Sequence, residues 1–335
     1  MRYGRVEAAR KWKPTSSYHP VHDFLCTPVR GAQAAQRASN IGMSGFEPMS
    51  LAEYAAFERN LGVRVVEAGG VWWRRVRPFF YRPVFPFQVL DPQTVRPPRS
   101  SRWGGFQVPV SDRSRANSYL MYLVCERPWE YRFDALPQPL RRSIRKGLER
   151  FEIREITSVS RFIQEAWPVY LSFQARTGYR WRRDRRNREG FARWAEALFA
   201  NGKVRICGAY NRDGLGGIDS LYRVENVLIG GPTFSRTEAL RDRVTDALFH
   251  TIRTWAAGCP GVNCLFLGTA SSRPSLDEFK LSRGAVAWKV PAYCYVQPLV
   301  WRALTFLYPS VKARLGMSGK GPIVGSDQGV APAGG

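Results

Sequence analysis

The sequence predicts an α/β protein in which two mixed sheets are flanked by helices. A three-strand meander, then a helix and further strands, occurs once in each half of the chain. The repeat lies in the order of elements, not in matching residues. At 335 residues the chain can bury one large core or two modest ones. Its 44% hydrophobic and 13% aromatic content is enough for both to fold.

Residues 1–42 mix Pro, Ser, Arg and Ala without periodicity and read as a flexible leader, with Met43 as an alternative start. The first half, 43–135, opens with a helix over Leu51–Leu61 that Gly62 ends. Val63–Glu67 and Val71–Val76 flank Gly69-Gly70 and predict a hairpin. Phe79–Phe87, broken by Pro78, Pro83 and Pro86, suits an edge or irregular strand. Short strands follow at Gly105–Val110 and Tyr119–Cys125.

The second half, 136–300, begins with a basic helix over Gln138–Phe151, with Pro137 in its first turn. A longer amphipathic helix is expected over Glu155–Ala175, and another around Phe191, Trp194 and Leu198. Lys203–Tyr210, Gly216–Tyr222 and Asn226–Gly230 form a meander. Leu240, Val244, Leu248, Ile252 and Trp255 recur at helical spacing up to Gly258. A strand at Cys264–Gly268, a short helix near Leu276–Leu281 and a strand at Ala285–Val296 complete this half. A C-terminal helix is expected over 301–316, followed by a disordered, glycine-rich tail over 317–335.

Several functions are excluded or disfavoured. No apolar run reaches the roughly 18–20 residues that span a bilayer. Met1–Pro20 lacks the apolar centre of a secretory signal, so a cytoplasmic location is expected, with the inner face of the membrane as a peripheral site. The six cysteines include no C-x-x-C pair and only three histidines accompany them, which leaves a zinc site short of ligands. Free, buried thiols are the reading. The net charge of +24, mostly arginine, points to a phosphate-bearing donor, a tRNA or an anionic membrane surface.

The motifs lie in the second half. Leu-Pro-Gln-Pro-Leu-Arg-Arg-Ser-Ile-Arg-Lys-Gly begins at Leu136, and Val-Thr-Asp-Ala-Leu-Phe-His-Thr-Ile-Arg-Thr-Trp-Ala-Ala-Gly at Val244. Leu-Phe-Leu-Gly-Thr-Ala and Ser-Leu-Asp-Glu-Phe-Lys-Leu-Ser-Arg-Gly-Ala follow at Leu265 and Ser275. Together these resemble the FemAB-like branch of the GNAT (acyl-CoA N-acyltransferase) superfamily, over residues 130–297 and only in element order over 45–130. The resemblance implies a tandem GNAT-like fold that moves an acyl or aminoacyl group onto an amine, of a cell-envelope or small-molecule acceptor. It implies acyl-CoA or aminoacyl-tRNA as donor and no metal. Such chemistry needs a placed amine, an oxyanion stabiliser and cations on the donor phosphates.

Lys280 matches the family lysine beside the transferred carbonyl. Asp219, on a strand, is read as a general base or as a polar strand residue. Arg141, Arg142 and Arg145 are three or four residues apart on one helix, a phosphate-sized cluster or a solvated face. Tyr179, Trp181, Arg182 and Arg183 belong to a run of arginines interleaved with aromatics, suited to a phosphodiester and a stacked ring. Ser271 and Ser272 end a strand and are read as substrate contacts or as loop serines. Simple acetyltransferases carry a glycine-rich pyrophosphate loop before a helix. The corresponding stretch here, Thr233–Arg241, has no glycine, and Arg236 is the residue that partly replaces it. The competing reading is a non-catalytic protein that binds nucleic acid or a membrane surface on a decayed transferase fold.

Because 1–42 carries no periodic apolar positions, removing it is expected to shift Tm by no more than a few degrees. A larger fall in a thermal melt would show that the leader belongs to the core.

Overall fold

The computed structural model describes residues 46–178, 183–271 and 274–317. The leader and the tail from residue 318 lie outside these, as do Tyr179, Trp181, Arg182 and Ser272.

The first half runs β1 (Pro48–Met49), α1 (Leu51–Asn60), β2 (Val65–Ala68), β3 (Val71–Arg77), β4 (Phe80–Pro83), β5 (Gly105–Pro109) and β6 (Ser118–Glu126). α1 starts at a capping box, where the Ser50 hydroxyl accepts from Glu53 N and the Glu53 carboxylate accepts from Ser50 N. The β2–β3 turn places Gly69 and Gly70 at φ +59° and +73°, as a tight hairpin demands. The second half runs α2 (Gln138–Arg150), β7 (Glu152–Glu155), α3 (Val159–Thr177), α4 (Arg188–Phe199), β8 (Val204–Asn211), β9 (Gly214–Val224), β10 (Val227–Gly230) and β11 (Phe234–Ser235). It continues with α5 (Val244–Ala257), β12 (Cys264–Thr269), α6 (Pro274–Leu281), β13 (Val286–Val296), α7 (Pro298–Leu307) and α8 (Val311–Arg314).

The α/β class with helices on a mixed sheet is present, but hydrogen bonding joins the two expected sheets into one of 13 strands. Its main path is β2-β3-β4-β5-β13-β6-β12-β10-β9-β8-β7. The cause is an exchange of strands. β13, from the second half, pairs with β6 over Val286–Ala292 and with β5 over Ala292–Val296. β6, from the first half, lies between β13 and β12. Outward from the β6–β13 pair the main path has matching order in the two wings, each with one parallel pair along it, β4–β5 and β10–β12, while β1 adds a further parallel pairing to β9 off that path. They differ in what fills the crossover. Between β10 and β12 runs the helix α5; between β4 and β5 there is only a 3₁₀ turn at Arg99–Trp103.

Both faces of the second wing are covered. One side packs an aromatic cluster, including Phe162, Tyr170, Phe191, Trp194 and Phe234, under α3 and α4. The other packs Phe151, Leu248, Ile252 and Leu265 beneath α2 and α5. β9 alternates between them: Ile218 and Tyr222 join the first cluster and Leu221 the second.

Some elements depart from the sequence reading. The expected edge or irregular strand is β4, which is interior but irregular, with a register shift against β3 between Arg75 and Arg77 and with Pro83 at its end, where a missing N–H costs least. Glu155 ends a charged edge strand, Glu152–Glu155, and is not the start of the next helix, which begins at Val159. The C-terminal helix is two helices, broken at Pro309.

Trp288 on β13 is fully buried, donates its indole N–H to Glu126 on β6 at 2.5 Å and meets Phe87 edge-on. Trp288→Ala is expected to lower stability by about 3–5 kcal/mol in urea unfolding. A loss below about 1 kcal/mol would mean that this strand exchange is not what holds the wings together.

Candidate active site

β10 and β12 pair in parallel only over Val227–Ile229 and Cys264–Phe266. Beyond that they separate. β10 gives way to Gly230-Gly231-Pro232-Thr233 and the chain folds back as β11 onto β9. β12 slips in register against β6 between Phe266 and Thr269, with Gly268 at φ +104°. The ladder thus ends in a wedge, the point past Ile229 and Phe266 at which pairing of the two strands stops.

Lys280 closes one side of it. Its Nζ donates to the Leu267 carbonyl at 2.5 Å, a group the separating strands release from the ladder. Burial lowers the Lys280 pKa, while the charges of Asp277 and Asp219 act to raise it. Asp219 lies on β9 beside Cys207, and its Oδ1 accepts from the Thr233 hydroxyl at 2.5 Å and the Ser220 amide at 2.8 Å. Burial pushes its pKa up to about 7, against those two donors and the charge of Lys280. The pair are charge neighbours without a contact ion pair among the described residues. A lysine with a weakened hold on its proton beside a carboxylate that titrates near neutrality suits general acid–base work.

α6, which carries Lys280, is fixed by the residues that flank the lysine. Phe279 packs edge-on against Phe249 of α5 at 5.9 Å. Arg283 forms a buried ion pair with Asp246 of α5 at 2.6 Å, and its guanidinium stacks on Phe279 at 3.7 Å. Arg253 donates to the Arg283 carbonyl at 2.6 Å. Gly284, at φ +88°, passes so close that a Cβ there would meet the Arg253 guanidinium at 2.8 Å. This explains the Phe-Lys-Leu-Ser-Arg-Gly run physically. Asp246 and Thr233 were not singled out from sequence; an acid within the apolar stripe of α5 was the available signal for Asp246.

The other candidates are dispersed. Arg236 turns to the β8–β9 hairpin, donating its Nη1 to Asp213 O at 3.4 Å, and takes no part in the wedge. Arg141 is half-buried on α2, and Arg142 and Arg145 are exposed, with Arg145 lying 5.5 Å over the Phe133 ring. None of the three bonds to Asp219 or Lys280 among the described residues. Ser271 N donates to the Asp277 carboxylate at 2.9 Å at the start of α6. Arg183 begins a 3₁₀ turn ending at Arg185, and Arg185 is buried over Trp194 at 4.1 Å. That arginine of the run therefore serves the core.

Much of the stretch before α5 is engaged within the chain. The amides of Thr237, Leu240, Arg243, Asp246 and Ala247 donate to Ser172 Oγ or to backbone carbonyls of the same stretch. α2 lies across it: Lys146 donates to Arg241 O at 3.0 Å, and Gly147 approaches so closely that a Cβ would sit 2.7 Å from Arg243 O. Amides engaged in this way are not presented to a pyrophosphate.

No family model matches the chain, and no curated protein matches it. Solved structures do. FemX is similar at 10% identity, covering 82% of this chain and 98% of that one, with a TM-score of 0.51. A structure named as the C-terminal domain of a lysylphosphatidylglycerol synthetase from Agrobacterium fabrum is 14% identical, covering 84% and 97%, with a TM-score of 0.50. L-PGS from Bacillus licheniformis is 14% identical, covering 82% and 98%, also at 0.50. At these identities the likeness establishes a shared fold, that of the branch which the motifs resemble.

Because the folded pKa of Asp219 is raised from 3.8 to about 7, the folded protein holds a proton that the unfolded chain has released. Its contribution to stability is full at acid pH and is lost as pH rises through about 7. Urea unfolding at pH 5 and pH 8 is expected to show this decline in the wild type and a flatter one in Asp219→Asn. Equal pH dependence in both proteins would place the Asp219 pKa near its ordinary value.

Proposed function

We propose that the protein transfers an aminoacyl group from tRNA to an amine of a cell-envelope or small-molecule acceptor, with Lys280 and Asp219 as its catalytic residues. The observation that carries this reading is their convergence on the wedge between β10 and β12. The Asp219 carboxylate takes a proton from the incoming ammonium, and the freed nitrogen attacks the ester carbonyl carbon. The oxygen becomes negative as the C–N bond forms, and the Lys280 ammonium stabilises it. The C–O bond to the ribose then breaks, the proton held on Asp219 goes to the leaving oxygen, and the emptied carboxylate takes the second proton from the nitrogen, which leaves a neutral amide.

tRNA is favoured over coenzyme A as the donor by the glycine-free stretch before α5, where the amides of Thr237, Leu240, Arg243, Asp246 and Ala247 are engaged within the chain. The net charge of +24 fits a long polyanion better than a single cofactor.

Radiolabelled aminoacyl-tRNA with hydroxylamine as surrogate amine tests the proposal without knowledge of the natural acceptor. Hydroxamate formation is expected in the wild type, and Lys280→Ala is expected to lower its rate about 10²–10³-fold in a protein that still unfolds cooperatively, with only the modest fall in Tm that loss of the Leu267 contact brings. Lys280→Arg recovers little, since its planar fork places the charge differently. Wild-type turnover in the alanine variant would make the lysine a bystander. Consumption of acetyl-CoA with aminoacyl-tRNA left intact would reassign the donor.

A further inference from the structure

α7 has apolar residues on both sides. On one side Val300, Trp301, Leu304 and Thr305 are half-buried, and none of its residues is fully buried. Its outer side carries Leu299, Ala303, Phe306 and Leu307, at a spacing of three to four residues. Phe306 is 85% exposed, Leu299 69% and Leu307 63%. A stripe of this kind turned to solvent is unusual in a folded chain and marks a contact surface.

The surroundings indicate the contact. Gln297 N, at the start of α7, donates to Gly104 O, and Gly105 N donates to Phe79 O. These bonds bring the exposed Trp103 and Phe79 to the same end of the sheet, with the Arg102 guanidinium 5.3 Å over the Trp103 ring. Exposed basic residues bracket the stripe: Arg302 on α7, and Lys312 and Arg314 on α8. Apolar and aromatic side chains projecting from one side, with cations at the margin, form the pattern of a helix lying in a bilayer interface. The positive margin and the net charge of +24 complement an anionic surface. No helix of the described residues is long and apolar enough to cross a membrane, so contact through this edge is of the kind that lies on the surface.

We propose that α7, with Trp103 and Phe79, is a docking edge for an anionic lipid bilayer. The inference stands apart from the transfer reaction and survives if Lys280 is inert. β12 and β13 both pair antiparallel with β6 and so run in the same direction. The wedge and α7 therefore lie toward the same end of the sheet, and docking would turn the site toward the membrane.

Co-sedimentation of the full chain with phosphatidylcholine vesicles, with and without phosphatidylglycerol, tests the edge. Binding is expected only to the anionic vesicles, and weaker at high salt. Phe306→Glu/Leu307→Glu is expected to reduce it at least about tenfold. Lys312→Glu/Arg314→Glu is expected to lower it and flatten its salt dependence. Both double variants alter exposed positions, and an unchanged Tm verifies that they fold. Equal vesicle binding by wild type and the Phe306/Leu307 variant would overturn the proposal. So would a wild-type dimer, seen by light scattering, that the variant splits without any vesicle binding, because the stripe would then join two copies of the chain.

Discussion

The early end of the parallel pairing between β10 and β12 is the constraint on which the site depends. Two parallel strands that part must each leave backbone groups without a ladder partner, and buried groups of that kind need another. On β10 the end is enforced by Pro232, which lacks an N–H, and by Gly231, where a Cβ would lie 2.4 Å from the Ser220 hydroxyl. On β12 it is enforced by the register shift that Gly268 permits. The Leu267 carbonyl then takes Lys280, and Thr233, carried past β9, takes Asp219. The same backbone event that opens the wedge supplies the anchors of its two charged residues.

The remainder of the molecule holds that event in place. β6, lent by the first half, is the strand against which β12 slips, and β13 carries the chain back across it. Only the second wing has a helix in its crossover, and α5 fixes α6 through Asp246–Arg283 and Phe249–Phe279. A buried ion pair of this kind is costly to break from one side, because the remaining charge is stranded. Its benefit here is positional: it sets the helix from which Lys280 reaches the Leu267 carbonyl. The first wing repeats the strand order without such a helix, so it contributes strands but no comparable site.

Much of this was legible in the sequence. The Gly69-Gly70 hairpin, the stripe of α5 and the Phe-Lys-Leu-Ser-Arg-Gly run all declare themselves through local rules of turn, period and motif. What escaped reading depends on tertiary pairing. A two-sheet expectation is natural when each half has its own meander, because strand exchange leaves no local trace. Glu155 looks like the start of a helix until β8 is placed beside β7, with Glu155 paired to Arg205. Arg185 reads as one more cation in a basic run, yet burial over Trp194 assigns it to the core. Asp219 was legible as a carboxylate on a strand, but not its burial or its closeness to Lys280. Both arise from segments more than ten residues apart in the chain.

The central claim is that Asp219 and Lys280 share one buried electrostatic environment. The most direct test is a carboxyl titration of Asp219 by carbon NMR on aspartate-labelled protein, using Asp219→Asn to assign the signal and Lys280→Met to probe the coupling. The wild-type carboxyl should titrate near 7, and loss of the lysine's charge should raise that value further. A carboxyl that titrates near the ordinary 3.8 and ignores the Lys280 substitution would contradict the claim.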